Sequence, residues 1–84
     1  MPTVHVRYFA SLREALGHQE TVQVPEGATV AALRTQLVAR GGRHAEVLGA
    51  DRPVRAALAQ VACSDDAVLA EGVELAFFPP VTGG

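Results

Sequence analysis

The group in this sequence best suited to chemistry is the carboxylate at its end, which belongs to the diglycine Gly83-Gly84. A carboxylate is a poor acyl donor until one of its oxygens becomes a good leaving group. Attack on the α-phosphate of ATP would give an acyl-adenylate, which a sulfur nucleophile would convert to a thiocarboxylate, 1-thioglycine. Two glycines suit such a use, because they carry no side chain and let another backbone approach closely. We therefore predict that Gly84 is a reagent that enters the active site of another protein.

The residues before the diglycine suit its delivery. An apolar strand ends at Phe78, and Pro79-Pro80 then biases the chain toward extended structure. The residues beyond Pro80, Val81-Thr82-Gly83-Gly84, reach at most about 14 Å. We predict a folded domain over residues 1–78 and an extended tail over residues 79–84.

The other groups that could do chemistry lack suitable neighbours in the sequence. No carboxylate or nucleophile stands at an interpretable spacing from any histidine, and we expect each of the three to lie singly at the surface: His5, His18 and His44. The sole cysteine, Cys63, follows two apolar residues and is expected to act as a small hydrophobe. Asp65-Asp66 is expected to serve a turn. No Cys/His set has zinc-ligand spacing, so neither a metal nor a bound cofactor is expected.

Length and composition limit the classes of function. The 84 residues suit a single domain, and 49% of them are hydrophobic, which is enough for a core. A net charge of −2 and the lack of a basic run argue against nucleic-acid binding. No apolar stretch is long enough to span a bilayer and the N-terminus is unlike a signal sequence, so we expect a cytoplasmic protein that binds no membrane.

The N-terminal part of the sequence predicts two strands with a short helix between them. Thr3–Phe9 alternates polar and apolar residues, as a strand does. One face of this strand carries Val4, Val6 and Tyr8. The capping-box pattern Ser11-Leu12-Arg13-Glu14 predicts the start of a helix that Gly17 ends. Glu20–Val24 alternates again and is predicted to be the second strand.

The main helix is predicted from Val30 to about Arg40. Thr29 suits its N-cap, and Gly41-Gly42 suits its end. Its apolar residues share one face, so the helix must lie against a sheet; they include Val30, Leu33 and Leu37. A further turn of helix is predicted over Ala45–Leu48.

The remaining strands are predicted over Val54–Val61 and Val73–Phe78, with a turn at Leu69–Gly72 between them. The order is thus strand, strand, helix, then two or three strands. It predicts an α+β fold with a mixed sheet of four to five strands and one main helix across one face. A β-grasp roll has this order, with the first and last strands side by side at its centre.

If those two strands are neighbours, Phe9 and Phe78 lie together on the face away from the helix, near the start of the tail. Two phenylalanines on the solvated face of a sheet indicate a docking surface rather than core. The alternative is that a loop or a short helix covers them. Arg13, just beyond Phe9, would be a polar contact at the rim of this surface or simply a solvated arginine.

The C-terminal run Phe77–Gly84 resembles the ending of the small, sulfur-carrier subunits of molybdopterin synthase, and it is the most specific feature of that family in this sequence. The resemblance extends over the whole length through Val6-Arg7-Tyr8-Phe9-Ala10, Leu12-Arg13-Glu14, Leu16-Gly17, Thr29-Val30 and Leu33-Arg34. It implies the ubiquitin-like β-grasp fold that the patterning also predicts. The sequence departs from the family at Ala59, where relatives often carry Asn, and at Val73, where an acidic residue is usual.

The resemblance implies a role for the tail. Gly84 would be adenylated by an activating enzyme that uses ATP, and then converted to a thiocarboxylate. The tail would insert into the large catalytic subunit, which binds cyclic pyranopterin monophosphate, and a heterotetramer of two small and two large subunits would form the dithiolene of molybdopterin. Catalytic side chains would belong to the large subunit, so this chain supplies Gly83 and Gly84. The partner interface would consist of Phe9, Arg13, Phe78, Pro79, Pro80, Val81 and Thr82.

Three other functions stay open on the sequence. The sulfur carrier of thiazole (thiamine) biosynthesis shares the fold and the diglycine, but it is usually shorter and lacks the Phe-Phe-Pro-Pro approach. A ubiquitin-like modifier would be joined through Gly84 to lysines of target proteins. A plain interaction domain would carry an idle tail.

Overall fold

The computed structural model describes residues 1–49 and 51–80. It contains five strands and three helices in the following order: β1 (Thr3–Tyr8), α1 (Ala10–Leu16), β2 (Gln19–Gln23), α2 (Val30–Val38), α3 (Gly42–Leu48), β3 (Arg55–Leu58), β4 (Val61–Cys63) and β5 (Glu74–Phe78). Within this part of the chain, no helix is long and apolar enough to cross a bilayer.

The strands form one mixed sheet in the order β2-β1-β5-β3-β4. The first and last strands are parallel neighbours at its centre, in a register that pairs His5 with Glu74 and Tyr8 with Phe77. The other pairs, β1 with β2, β3 with β5 and β3 with β4, are antiparallel. This arrangement confirms the predicted α+β class, the β-grasp order and the central position of the first and last strands.

The core lies between one face of the sheet and the helices. In β1 the buried side chains alternate with exposed ones, as the sequence pattern predicts, and the buried set is Val4, Val6 and Tyr8. They pack in one cluster with Leu75 and Phe77 of β5 and with the apolar face of α2, which consists of Val30, Leu33 and Leu37. The Tyr8 and Phe77 rings stack with their centroids 6.4 Å apart. Since the helices cover this inner face, the outer face of the sheet carries the remaining residues of each strand.

The predicted start of α1 is wrong by a few residues. The helix begins at Ala10, so Ser11 lies inside its first turn, and the N-cap is Phe9, whose side chain makes no capping hydrogen bond. Ala10 has a positive φ of 52°, which turns the chain sharply out of β1. The predicted end is confirmed, because Gly17 has a φ of 95° and its N–H donates to the carbonyl of Arg13.

The predicted N-cap of α2 is confirmed, since the Thr29 hydroxyl accepts a hydrogen bond of 3.1 Å from the N–H of Ala32. The helix ends at Val38, slightly before the predicted Arg40. Gly41 and Gly42 both have positive φ, of 74° and 56°, and form the sharp turn from which α3 starts. The predicted turn of helix at Ala45–Leu48 is therefore the second half of a longer helix.

The single strand predicted over Val54–Val61 is wrong, because the chain forms a hairpin there. Ala59 and Gln60 make the turn between β3 and β4 with φ of 48° and 70°. Two-residue turns of this kind favour Asn-Gly, since both residues need a positive φ. Ala-Gln carries no such signal, so the alternating alanines suggested one continuous strand.

Candidate docking surface and tail root

The tail starts where β5 ends. Pro79 and Pro80 follow Phe78 directly and are half-buried, and neither has an N–H with which to continue the sheet. The predicted tail residues Val81, Thr82, Gly83 and Gly84 lie outside the described residues. The part of the site that the structure describes is therefore the root of the tail and the surface beside it.

Phe9 and Phe78 occupy neighbouring positions of the β1–β5 register, on the outer face as predicted. The N–H of Phe9 donates a 3.1 Å hydrogen bond to the carbonyl of Phe77, which extends the parallel β1–β5 register by one residue. Phe9 is 38% exposed and Phe78 is half-buried. The described helices pack on the opposite face, so the alternative of a covering helix does not apply to Phe9. Their role as a docking surface stays a prediction.

The Phe9 ring is held from one side by Arg7. The guanidinium carbon of Arg7 lies 5.5 Å from the ring centroid, a cation–π distance. Arg7 also lies 3.6 Å from a carboxylate oxygen of Glu74 on the neighbouring strand. Since both charged side chains are well exposed, the ion pair adds little stability. Its effect is on position: Glu74 holds Arg7, and Arg7 in turn restricts where the Phe9 ring can lie.

Arg13 is exposed on α1, one helical turn beyond Phe9. Its backbone N–H donates to the carbonyl of Phe9 at 3.4 Å, so the two residues keep a fixed separation. This position suits the rim of the surface that Phe9 and Phe78 form, and the contact with a partner stays a prediction.

Phe78 borders the hairpin on its other side. It pairs with Arg55 of β3, and it lines a shallow cavity together with Arg55, Ala56, Ala62 and Cys63. Burial raises the pKa of the Cys63 thiol, which keeps it protonated. Cys63 also packs against the core cluster, in agreement with the prediction of a small hydrophobe.

A short stretch of chain forms the wall of the tail root. Arg52, Pro53 and Val54, which we call the wall segment, line the same cavity as Pro79 and Pro80. The cavity is completed by side chains of α1 and α3: Ser11, Leu12, Glu46 and Val47. The root of the tail therefore faces the wall segment, α1 and α3 across this cavity.

The wall segment is held from α2 by Arg34. The Nε of Arg34 donates to the carbonyl of Leu48 at 2.6 Å, and one terminal nitrogen donates to the carbonyls of Gly49 at 2.7 Å and Arg52 at 2.8 Å. Sequence reasoning missed this contact, because its acceptors are backbone carbonyls that no residue type signals. The only hint was that Arg34 lies in a segment that resembles the family.

A second group that the sequence did not reveal lies on the inner face around Glu20. Its carboxylate accepts hydrogen bonds from Tyr8 at 2.7 Å and Arg40 at 2.5 Å, and one of its oxygens lies 3.0 Å from Nε2 of His44. Burial alone would raise the pKa of Glu20, but the hydrogen bonds from Arg40, His44 and Tyr8 outweigh it and lower the pKa to about 2. Burial, followed by the hydrogen bond to Glu20, raises the pKa of Tyr8.

The cluster corrects one prediction about the histidines. His5 and His18 are exposed, as expected for single surface residues, whereas His44 is half-buried against Glu20 and edge-on to the Tyr8 ring. The expected solitary state of His44 is therefore wrong. The reason is that α3 is longer than predicted and carries His44 back over β2.

The fold is a five-stranded mixed sheet with a central parallel pair of strands and with helices on one face. Its last strand runs into a tail that begins with two prolines. These features define a ubiquitin-like β-grasp domain. The chain belongs to the ThiS family, whose sequence profile matches residues 6–84.

The chain is similar to proteins of two kinds. It is 42% identical over 81 residues to the molybdopterin synthase sulfur carrier subunit of Escherichia coli (strain K12), which covers 96% of this chain and 99% of that protein. The crystal structure of small archaeal modifier protein 1 of Haloferax volcanii superposes with a TM-score of 0.78 at 29% identity, covering 96% of this chain and all of that one (100%).

A third likeness comes from a protein complex. A chain in the complex of subunits 1 and 2 of the molybdopterin-converting factor from Helicobacter pylori 26695 matches with a TM-score of 0.69 at 23% identity. The match covers 98% of this chain and 99% of that one, and it shows a shared fold.

Proposed function

We propose that this chain is the sulfur carrier of a molybdopterin synthase. The observation that carries the proposal is the pair Phe9 and Phe78, which lies at the root of a tail whose sequence ends in Gly83-Gly84. The similarity to the Escherichia coli carrier subunit, over nearly the whole of both chains, supports it. The folded domain would bind the partner protein, and the tail would carry the reacting carboxylate.

The reaction at Gly84 would proceed in two substitutions. A carboxylate oxygen attacks the α-phosphate of ATP in the activating enzyme, and pyrophosphate leaves. A sulfur nucleophile then attacks the acyl carbon, and AMP leaves with the oxygen that it had gained, so that Gly84 becomes a 1-thioglycine. In the large subunit the thiocarboxylate sulfur would bond to a carbon of cyclic pyranopterin monophosphate as an oxygen group leaves that carbon, and water would then cleave the acyl–sulfur bond and return Gly84 to a carboxylate. The chain itself would bind no cofactor, and we expect these steps to take place in the cytoplasm.

The partner would be a large catalytic subunit. The Helicobacter pylori complex pairs a chain of this fold with a second subunit, and two copies of each would make the proposed heterotetramer. Aromatic residues in the middle of an interface contribute strongly to binding, because they bury a large area at a small entropic cost. We expect Phe9 and Phe78 to occupy the centre of this interface and Arg13 its rim.

The test is sulfur transfer by the purified protein. Intact mass spectrometry before and after incubation with ATP, a sulfur donor and the activating enzyme should show the mass increase of one oxygen replaced by sulfur. The thiocarboxylate form should then convert cyclic pyranopterin monophosphate in the presence of the large subunit. Sulfur transfer to the thiazole precursor alone would refute the proposal in favour of a thiamine pathway.

A second candidate function is favoured by the likeness to small archaeal modifier protein 1. A modifier would form an isopeptide bond between Gly84 and a lysine of another protein. Proteomic analysis for lysines that carry a remnant of this chain, which after trypsin is residues 56–84 because Arg55 is the last tryptic site, separates the two functions, with a variant that lacks Gly83-Gly84 as the control. Remnants without sulfur transfer would identify a modifier.

A further inference from the structure

We propose that Arg34 is a positioning residue for the root of the tail: it fixes the wall segment, which lines the same cavities as Pro80, and so sets the direction in which the chain leaves β5 through Pro79 and Pro80. The consequence for activity rests on the proposed function, because the direction of the tail matters only where another protein takes up its carboxylate.

The guanidinium of Arg34 reaches backbone carbonyls on two segments of the chain. Arg34 projects from α2 and donates to three backbone carbonyls at 2.6–2.8 Å, those of Leu48, Gly49 and Arg52. Hydrogen bonds from a charged donor are about twice as strong as neutral ones, and the planar fork of arginine fixes direction as well as distance. Two of the acceptors are carbonyls at the end of α3, where the helix leaves such groups without an intrahelical donor. Arg34 therefore joins the end of α3 to the wall segment.

Gly49, Asp51 and Arg52 make further close contacts with α3. The N–H of Arg52 donates to the carbonyl of Gly49 at 2.8 Å, and its Nε donates to the carbonyl of Glu46 at 3.0 Å. A Cβ at Gly49 would lie 3.0 Å from a carboxylate oxygen of Asp51 and 3.1 Å from the carbonyl of Ala45. These contacts hold Arg52 beside the end of α3, and loss of Arg34 removes three more hydrogen bonds at once, those to the carbonyls of Leu48, Gly49 and Arg52.

The wall segment leads directly into β3, whose first residue, Arg55, pairs with Phe78 at the start of the tail. Pro53 and Val54 line two cavities that Pro80 also lines. Two consecutive prolines are stiff, so a displacement at the root is carried outward rather than absorbed. Two extended residues span about 7 Å, so a change of about 10° in the direction of Pro79-Pro80 would move the far end of this pair by about 1.2 Å. A misplacement of about 1 Å can reduce the rate of a group transfer about a hundredfold.

Arg34 lies on the opposite side of the sheet from Phe9 and Phe78. Loss of its hydrogen bonds should therefore leave the docking surface intact and disturb only the root of the tail. This separation predicts a split result, in which binding to the large subunit is kept and the rate of transfer falls.

The experiment compares Arg34→Met with Arg43→Met, the latter at an exposed arginine of α3. Each protein is loaded as the thiocarboxylate, titrated calorimetrically with the large subunit, and followed in a single turnover with cyclic pyranopterin monophosphate. We expect Arg34→Met to bind within about twofold of the wild type and to transfer sulfur at least about tenfold more slowly. Arg43→Met should match the wild type in both measurements.

Two further variants separate positioning from general stability. Val22→Ala removes core packing from β2 at a distance from the wall segment, and Arg34→Lys keeps one charged donor. Arg34→Lys should transfer sulfur at an intermediate rate, and it replaces Arg34→Met if that variant does not fold. The proposal would be overturned if Val22→Ala had the same thermal stability as Arg34→Met and lost as much of the transfer rate. It would also be overturned if both Arg34 variants transferred sulfur at the wild-type rate.

A measurement on the isolated protein keeps this proposal distinct from the proposed function. In ¹⁵N–¹H and ¹³C–¹H spectra, Arg34→Met should shift the amide of Val54 and the Cα–Hα signals of Pro79 and Pro80, while the amides of His5 and Thr21 in the β1–β2 ladder stay in place. If the wild type transfers no sulfur, the proposed function fails, and these shifts still decide whether Arg34 positions the root. Unchanged signals at Val54, Pro79 and Pro80 would refute the role of Arg34 whatever the activity.

Discussion

The carboxylate of Glu20 should make the free energy of unfolding depend on pH. The substitution Glu20→Gln should remove this contribution. Glu20 lies on the inner face of β2 and accepts hydrogen bonds from Tyr8 and Arg40, with His44 in contact. Glu20→Gln keeps the size of the side chain and removes its charge at every pH. The difference in the free energy of unfolding between wild type and variant therefore isolates the charged form.

The magnitude and its sign follow from the lowered pKa. The pKa of Glu20 falls from its ordinary value of 4.5 to about 2 in the folded protein, which corresponds to about 3 kcal/mol of stabilisation by the charged form. Because the Arg40 side chain is half exposed, solvent screening reduces this, and we expect about 2 kcal/mol. A lowered folded-state pKa means that the unfolded state binds more protons at intermediate pH. The stabilisation is thus complete above about pH 5 and is lost as the pH falls towards 2.

The assay is urea unfolding of the wild type, Glu20→Gln and Glu26→Gln at a series of pH values from 7 to 2. Glu26 is exposed in the turn after β2 and serves as the matched control. The wild type should exceed Glu20→Gln by about 2 kcal/mol at pH 7, and this difference should shrink to near zero at pH 2. A difference that is the same at pH 3 and pH 7 would show that the charge of Glu20 contributes nothing, and that the cluster is held by neutral hydrogen bonds alone.

Three further outcomes are expected. Phe78→Arg should weaken binding of the large subunit at least about 30-fold while the isolated domain stays folded, because it places a charge in an apolar interface. The control is Val61→Arg at the edge of the sheet. If titration calorimetry gives Phe78→Arg the same affinity as the wild type, the proposed docking surface is contradicted. Replacing Ala59-Gln60 by Asn-Gly should raise the free energy of unfolding by about 1 kcal/mol, because these residues tolerate the positive φ of the turn; an unchanged or lower value in urea titration would count against strain there. One residue added after Gly84 should abolish ATP-dependent release of pyrophosphate by the activating enzyme, and continued release would show that the carboxylate need not be delivered at a fixed reach.

The sequence predicted those features that depend on local periodicity. Alternation in Thr3–Phe9 gave the correct faces of β1, and the same parity placed Phe9 beside Phe78 once the first and last strands were taken as neighbours. The hydroxyl of Thr29 predicted the start of α2 because a cap acts within one turn of its own helix. In each case the physical cause lies within a few residues of the effect.

The features that the sequence did not predict depend on partners far along the chain or on backbone groups. Arg34 binds carbonyls that follow it by 14 to 18 residues, and any residue type would offer the same acceptors. Glu20 meets His44 across 24 residues, and only after α3 has folded over β2. The hairpin turn at Ala59-Gln60 was missed because its residues do not have the preferences that its backbone conformation demands.

The parallel pairing of β1 with β5 ties the surface beside the tail to the completion of the chain. His5 pairs with Glu74, so β1 cannot pair with β5 until almost the whole polypeptide has been synthesised. Contacts of such long sequence separation form late and slowly. A nascent or truncated chain that lacks β5 has Phe9 but not Phe78, and it has no ordered root for a tail. Because of this topology, only a chain translated to its last strand can form the surface that a partner would recognise.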